Sequence, residues 1–277
     1  MCRWIAYTGQ PIYIDQIVTV PTHSLVKQSL DTKLRFSADG DLLSVNGDGF
    51  GIGWYNNKDI PGLYRDESPA WSNENLHSLA SQIRARTFFA HIRASTAGSV
   101  QRSNCHPFKY KNWLFQHNGH VSDFDAIKQA LYCDVSPEFF TKIEGNTDSE
   151  LFFYMALSYG LQDNPKEALQ KTVQRFQQEA ATAGTEAEIN ISCALSDGET
   201  LYTLRYAEND KANSQFYSSE FNVCETTELS DEECPVAGDH IVVVSEPLDS
   251  LEGHWKEIPE NTFGVIKDME IFLETFL

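Results

Sequence analysis

Three features of the 277-residue chain predict an α+β layered sandwich, two facing antiparallel sheets covered by helices. Strand-like runs rich in aromatic and β-branched residues recur with turn residues between them. The helical segments are grouped between hairpins rather than alternating with single strands, which disfavours a βαβ reading. A content of 41% hydrophobic and 12% aromatic residues is enough to fill the core that such a sandwich needs. No internal repeat, low-complexity tract or Pro/Gly/Ser-rich linker divides the chain, so residues 1–277 read as one continuous domain.

The elements follow in order. Residues 4–7 and 50–55 read as strands. A helix over 74–86 places Leu76, Leu79, Ala80 and Ile83 on one face, with Ser72 or Asn73 as its cap. Strands are expected at 87–95 and 112–118, then a helix at 123–132. Another helix begins near Thr147-Asp148 and carries Leu151, Phe152, Met155 and Leu157. The segment 165–180 opens with Pro165 in the first helical turn, where its missing N–H costs nothing, and buries Leu169, Val173 and Phe176. Ser196-Asp197-Gly198 joins strands 189–196 and 199–207, and an Asp-Gly turn between such runs is a strong hairpin signal. A last strand is expected at 240–245, where Ile241-Val242-Val243-Val244 is too short to span a bilayer.

Composition narrows the function. With 21 Lys+Arg against 40 Asp+Glu, the net charge of −19 disfavours phosphate backbones and anionic membranes, so neither nucleic acid nor a membrane is expected as a partner. The cysteines at 2, 105, 133, 193, 224 and 234 form no Cys-x-x-Cys pair, which speaks against zinc and against a dense disulfide scaffold. Reduced thiols in a cytoplasmic setting are expected, with a Cys224–Cys234 disulfide as an open alternative, and nothing reads as a secretory leader. Cys193 alternates within a strand and reads as packing. His91, His106, His117 and His120 are split among separate strands and loops without metal-ligand spacing. No metal and no cofactor is expected.

Five segments carry candidate chemistry. Removal of Met1 would make Cys2 a residue whose thiol and α-amine sit together; with reference pKa values of about 8.5 and about 7.7–8.0, the amine can serve as base for the sulfur. Alone, the same residue is also a small, oxidisable terminus. Asn46-Gly47-Asp48-Gly49-Phe50-Gly51-Ile52-Gly53-Trp54-Tyr55 alternates glycine into a strand, allowing close approach of backbone or ligand, or else a tight turn. No Lys-Ser/Thr pair follows to make it a phosphate loop. Arg93, in Ala90-His91-Ile92-Arg93-Ala94-Ser95-Thr96-Ala97-Gly98, suits bidentate capture of a carboxylate or a structural ion pair. In Gln116-His117-Asn118-Gly119-His120, the Asn118 side chain and the next N–H could form an oxyanion hole, or the pair could be a hairpin turn. In Gly145-Asn146-Thr147-Asp148-Ser149-Glu150, Asp148 suits either a substrate ammonium or the positive end of the helix it begins.

In this order the segments resemble the class II glutamine amidotransferases, the branch of the N-terminal-nucleophile hydrolases with an N-terminal cysteine. The motifs MCRWIAYTG, HSLVKQS (23–29), NGDGFGIGWY, PAWSNENL (69–76), AHIRAST, NCHPF, QHNG and GNTDSE carry the resemblance to about residue 160, and SEPLD (245–249) extends it. They look most like the stand-alone group that contains the amidotransferase subunit of the yeast-type glutathione-degrading complex, with the ergothioneine-pathway γ-glutamyl hydrolase nearby. The resemblance implies a four-layer αββα sandwich, the N-terminal-nucleophile hydrolase fold.

It also implies roles. Cys2 becomes the nucleophile, Arg93 the clamp on a substrate α-carboxylate, Asp148 the partner of its α-ammonium, and Asn118 with Gly119 the oxyanion hole. Thr96 and His106 line the glutamine pocket or its supporting shell. The aminosugar and purine enzymes carry tryptophan and histidine where this chain has Ala94 and Ala97, which implies a more open pocket. The expected reaction is cleavage of the γ-glutamyl amide of glutamine or a compound such as glutathione, through a γ-glutamyl thioester. The expected partners are that small molecule and a separate peptidase or synthase subunit. Rival readings are a cysteine N-terminal acylase for bile salts or penicillin V, which the Arg93–Asp148 pair argues against, and a catalytically silent scaffold.

Overall fold

The computed structural model describes residues 2–30, 45–95, 99–185, 188–218 and 240–277. Thirteen strands are found among them: β1 (Arg3–Tyr13), β2 (Phe50–Tyr55), β3 (Gly62–Asp66), β4 (Arg84–Ile92), β5 (Phe108–Tyr110), β6 (Trp113–Val121), β7 (Ile189–Ser196), β8 (Leu201–Ala207), β9 (Phe216–Ser218), β10 (His240–Val244), β11 (Trp255–Glu257), β12 (Thr262–Lys267) and β13 (Glu270–Thr275). They form a seven-stranded sheet, β11-β9-β10-β1-β4-β2-β3, and a six-stranded sheet, β13-β12-β8-β7-β6-β5. Every pairing in both is antiparallel.

Alternation along the strands explains the layering, because successive side chains point to opposite faces. Trp4 and Ala6 of β1, Phe89 of β4 and Ile241 and Val243 of β10 join Leu114, Ala194 and Leu201 of the other sheet in one buried cluster between the sheets. The intervening residues Ile5, Tyr7, Phe88, Ala90, Val242 and Val244 pack outward under the short helices α1 (Asp15–Val18), α2 (Leu25–Gln28) and α3 (Glu74–Ala80). On the far side, Phe115, Ile191, Cys193, Leu195 and Leu204 pack under α4 (Phe124–Asp134), α5 (Pro137–Phe140), α6 (Asp148–Ser158) and α7 (Pro165–Ala183). Strands buried on both faces read as continuous apolar runs, which is why β10 is unbroken Ile-Val-Val-Val. The order is helix, sheet, sheet, helix, the four-layer α+β sandwich.

Most expected elements are present with shifted ends. The helix expected over 74–86 is a correction: Asn73 caps it through Leu76 N (2.8 Å), but it ends at Ala80. Ile83 N still bonds Leu79 O, while Ile83 O accepts from Ile14 N (3.1 Å), which draws the chain into β4 at the next residue. Arg84 and Ala85 then pair with Tyr13 and Ile12, and β4 ends at Ile92 rather than running from 87 to 95. The Asp-Gly hairpin between β7 and β8 forms as expected, with Gly198 at φ +98°. Strands β3, β5, β9, β11, β12 and β13 were not expected from the sequence. Cys193 is fully buried in β7, whereas Cys224 and Cys234 lie outside the described residues.

Candidate active site

Two side-chain bonds set the relative height of the sheets. Gln116 Nε2 donates to Ile5 O (2.8 Å), and His91 Nε2, on the residue paired with Trp4, donates to His117 O (3.1 Å). Each step up β6 is therefore one step down β1, and the next residue, Asn118, arrives level with the start of β1. Its side chain shares the interlayer face with Leu114 and Gln116. Cys2 shares the corresponding face of its own sheet with Trp4 and Ala6. Extending the Arg3–Ile92 register by one pair sets Cys2 opposite Arg93. The Cys2 Sγ accepts from Ala94 N at 3.5 Å and lies 3.5 Å from Ala94 O. Cys2, Arg93 and Asn118 thus converge at one end of the interlayer core.

Arg93 is 3% exposed and held from several directions. Its N–H donates to Gly49 O (2.8 Å), its carbonyl accepts from Asp48 N (3.1 Å), and its guanidinium donates to Ser95 Oγ (3.1 Å) and Asp48 O (3.5 Å). Asp48 Oδ2 in turn accepts from Ser95 N at 2.7 Å. The glycine-rich segment therefore braces the arginine. Gly51, paired with His91, leaves its face of β2 bare, and a Cβ there would lie 2.3 Å from His106 O. That bare face lets the Asn104–Phe108 segment cross directly over the strand.

Gly119 lies between His117, whose carbonyl accepts from His91, and Val121, whose N–H donates to Asp148 Oδ2 (2.9 Å). Backbone groups of alternate strand residues point the same way. The Gly119 N–H therefore faces the side of β6 where β5 pairs only with Trp113–Phe115. A Cβ at Gly119 would lie 2.0 Å from Asn190 O, so no other residue fits. Asn118 O accepts from Asn213 Nδ2 (3.2 Å), which steadies the same corner.

Asp148 begins α6, with Thr147 as cap accepting from Glu150 N. Its Oδ1 accepts from Ser149 N (2.7 Å) and its Oδ2 from Val121 N, so it is tied three residues beyond Asn118. The loop before it is built in: Asn104 bonds Asn146 through Nδ2 (2.8 Å) and Oδ1 (3.0 Å), and the Glu150 carboxylate accepts from Glu144 N and Gly145 N. Burial raises the Glu150 carboxyl above its ordinary range.

Three of the histidines, His91, His106 and His117, are buried around the cluster. His106 is 4% exposed, its ring 4.2 Å from His91 and 4.5 Å from Phe108, which places it behind the cluster. Burial holds His91 down at about 3 and His106 and His117 below their ordinary value, so all three are neutral. No group of three or more His, Cys, Asp or Glu side chains that could hold a metal ion occurs among the described residues. Thr96 and Ala97 lie outside the described residues. The sequence marked the segment holding Asp48 but not its bonds to Arg93 and Ser95, since an aspartate between glycines signals a turn, and it passed over Asn213, which precedes a three-residue strand with no pattern of its own.

The family model for class II glutamine amidotransferases matches residues 18–275. The "Probable glutamine amidotransferase DUG3" of Saccharomyces cerevisiae is 34% identical over 305 residues, covering all of this chain and 85% of the relative. The gamma-glutamyl-hercynylcysteine sulfoxide hydrolase of Mycolicibacterium smegmatis is 25% identical and covers 98% of each. A class-II glutamine aminotransferase domain protein from Silicibacter pomeroyi has a similar structure, with a TM-score of 0.72, 31% identity and full coverage of both chains. The phosphoribosylpyrophosphate amidotransferase of Bacillus subtilis shares the fold, with a TM-score of 0.65 at 14% identity over all of this chain and 49% of the other.

Proposed function

Because the chain belongs to the class II glutamine amidotransferases, a family of enzymes with small-molecule substrates, we propose that it cleaves the γ-glutamyl amide of glutamine or of a γ-glutamyl compound such as glutathione, with Cys2 as nucleophile once Met1 is removed. The whole chain, 1–277, acts as one amidotransferase unit in this reading, in a cytoplasmic setting that keeps thiols reduced. The observation that carries it is the Cys2 thiol seated on Ala94 N, next in sequence to the buried Arg93, with the sheet registers bringing Asn118 toward the same end.

The chemistry follows from the substrate head. A zwitterionic amino-acid end needs one fixed cation and one fixed anion; an uncharged γ-amide needs a nucleophile and donors for the developing oxyanion. Arg93 takes the α-carboxylate and Asp148, whose carboxylate oxygens retain acceptor capacity beyond their bonds to Val121 and Ser149, takes the α-ammonium. The freed α-amine of Cys2 removes the thiol proton as sulfur attacks the γ-carbonyl, and Asn118 Nδ2 with Gly119 N–H stabilise the oxyanion. The same ammonium then protonates the departing nitrogen, leaving a γ-glutamyl thioester. Water, deprotonated by that amine, hydrolyses the thioester to glutamate and restores the thiol.

Ala94, whose N–H meets the thiol, carries only a methyl group there, which supports a leaving group larger than ammonia. The Mycolicibacterium relative, a γ-glutamyl hydrolase by name, supports the same choice. The amine released passes to solvent or to a separate peptidase or synthase subunit. The test is cleavage of glutamine, γ-glutamylcysteine and glutathione by untagged protein whose intact mass shows Met1 removed. Faster cleavage of a γ-glutamyl thiol compound than of glutamine is expected, and equal inactivity on all three overturns the reading.

A further inference from the structure

Two of the motifs, HSLVKQS and SEPLD, contain none of the residues assigned above, yet SEPLD reaches the residue next to Cys2 and HSLVKQS holds SEPLD in place. Arg3 is 2% exposed; its Nε donates to Glu246 Oε2 at 2.7 Å, and its Nη1 donates to the Cys2 carbonyl at 2.9 Å. Glu246, also 2% exposed, accepts on its other oxygen from His23 Nε2 at 2.7 Å. Gln28 Nε2 donates to the main chain of His23 (3.1 Å), Glu246 (3.4 Å) and Pro247 (3.4 Å), locking the three segments together. Just before them, Ser245 takes over where β10 stops pairing: its N–H donates to Trp4 O (3.1 Å) and its hydroxyl accepts from Trp4 N (2.9 Å).

We propose that Arg3, clamped between Glu246 and the Cys2 carbonyl, is a positioning residue that fixes the direction of the nucleophile. The inference rests on Cys2 being that nucleophile. Cys2 lies outside β1, and the Arg3 guanidinium holds its carbonyl. A buried guanidinium needs a carboxylate to hold it there, and a buried carboxylate with two oxygens needs a second donor, which explains the otherwise idle His23. Small displacements of a reacting atom are costly in rate, whereas in the proposed reaction affinity is set at the other end of the substrate, where Arg93 and Asp148 take its amino-acid head.

The test compares the parent with the paired variant Arg3→Met/Glu246→Leu, which removes both charges and so strands neither, and with Glu246→Gln, which keeps the shape. Thermal melting establishes that each is folded. In the paired variant, kcat for the best γ-glutamyl substrate is expected to fall about 100-fold with KM within about twofold, and Glu246→Gln to lie between it and the parent. Alkylation of Cys2 by iodoacetamide, followed by mass, is expected to slow about tenfold in the paired variant, since the sulfur leaves the Ala94 N–H that donates to it. Unchanged kcat in a folded paired variant, a rise in KM at constant kcat, or unslowed alkylation overturns the clamp. A parent inert on every γ-glutamyl substrate, with alkylation still slowed by the paired change, overturns the proposed reaction and leaves the clamp standing.

Discussion

At the scale of single residues, the roles separate by which kinetic constant they move. Cys2→Ala removes the only atom proposed to attack and is expected to fold normally with no turnover, checked by melting and by product assay. Arg93→Lys keeps the charge but loses the fork that grips a carboxylate bidentately, so KM should rise by about tenfold or more with a smaller effect on kcat. Asn118→Ala is expected to lower kcat by about 10²–10³, the usual effect of deleting one oxyanion donor, in steady-state assays. The sequence made Cys2, Arg93, Asn118, Gly119 and Asp148 candidates because each lies in a short polar or glycine-rich segment beside an apolar run. It left Glu246 and His23 without a role, because the bonds they make span 243 and 223 residues and no local pattern announces them.

At the scale of elements, local chemistry and pairing compete. Thr147 accepts from Glu150 N at the start of α6, and Thr147→Ala should cost about 1 kcal/mol in chemical unfolding, since it leaves one first-turn donor without its cap. Legible elements had both a periodic face and an end signal: Asn164 and Pro165 open α7, Gly184 closes it in the left-handed region at φ +66°, and Asp-Gly turns the β7–β8 hairpin. Strands β9 and β11, three residues each, exist only because neighbours pair with them, and β13 is an edge strand with mostly exposed side chains, so none shows a clear alternation. The over-long helix 74–86 has the same cause, pairing of Arg84 and Ala85 with β1 outweighing a helical pattern that Ile83 continues.

At the scale of the whole molecule, the interlayer core and the buried histidines set stability. Phe89, fully buried between the sheets, is expected to cost about 3–5 kcal/mol on truncation to Ala, measured by denaturant unfolding. His91 has a folded value near 3, below the ordinary 6.5, and His106 and His117 are also held low by burial. The unfolded chain therefore binds more protons below about pH 6.5, so stability should fall as pH drops from there toward 3, by up to about 1.4 kcal/mol per unit per histidine. Buried Glu150 and half-buried Asp15, raised above their ordinary values by desolvation, oppose this by losing stability as pH rises through their folded values. Melting temperatures between pH 7.5 and 5 should drop, and His106→Phe should make the drop shallower. The family, the layered α+β class and the reactive residue types were readable from the chain alone, because strand periodicity, turn chemistry and short motifs are local properties. That Cys2, Arg93 and Asn118 occupy one end of one core, with Asp48, Glu246 and His23 bracing them, emerged only on folding: the height of one sheet over the other is set by bonds such as Gln116 to Ile5, made between residues that no sequence window contains together.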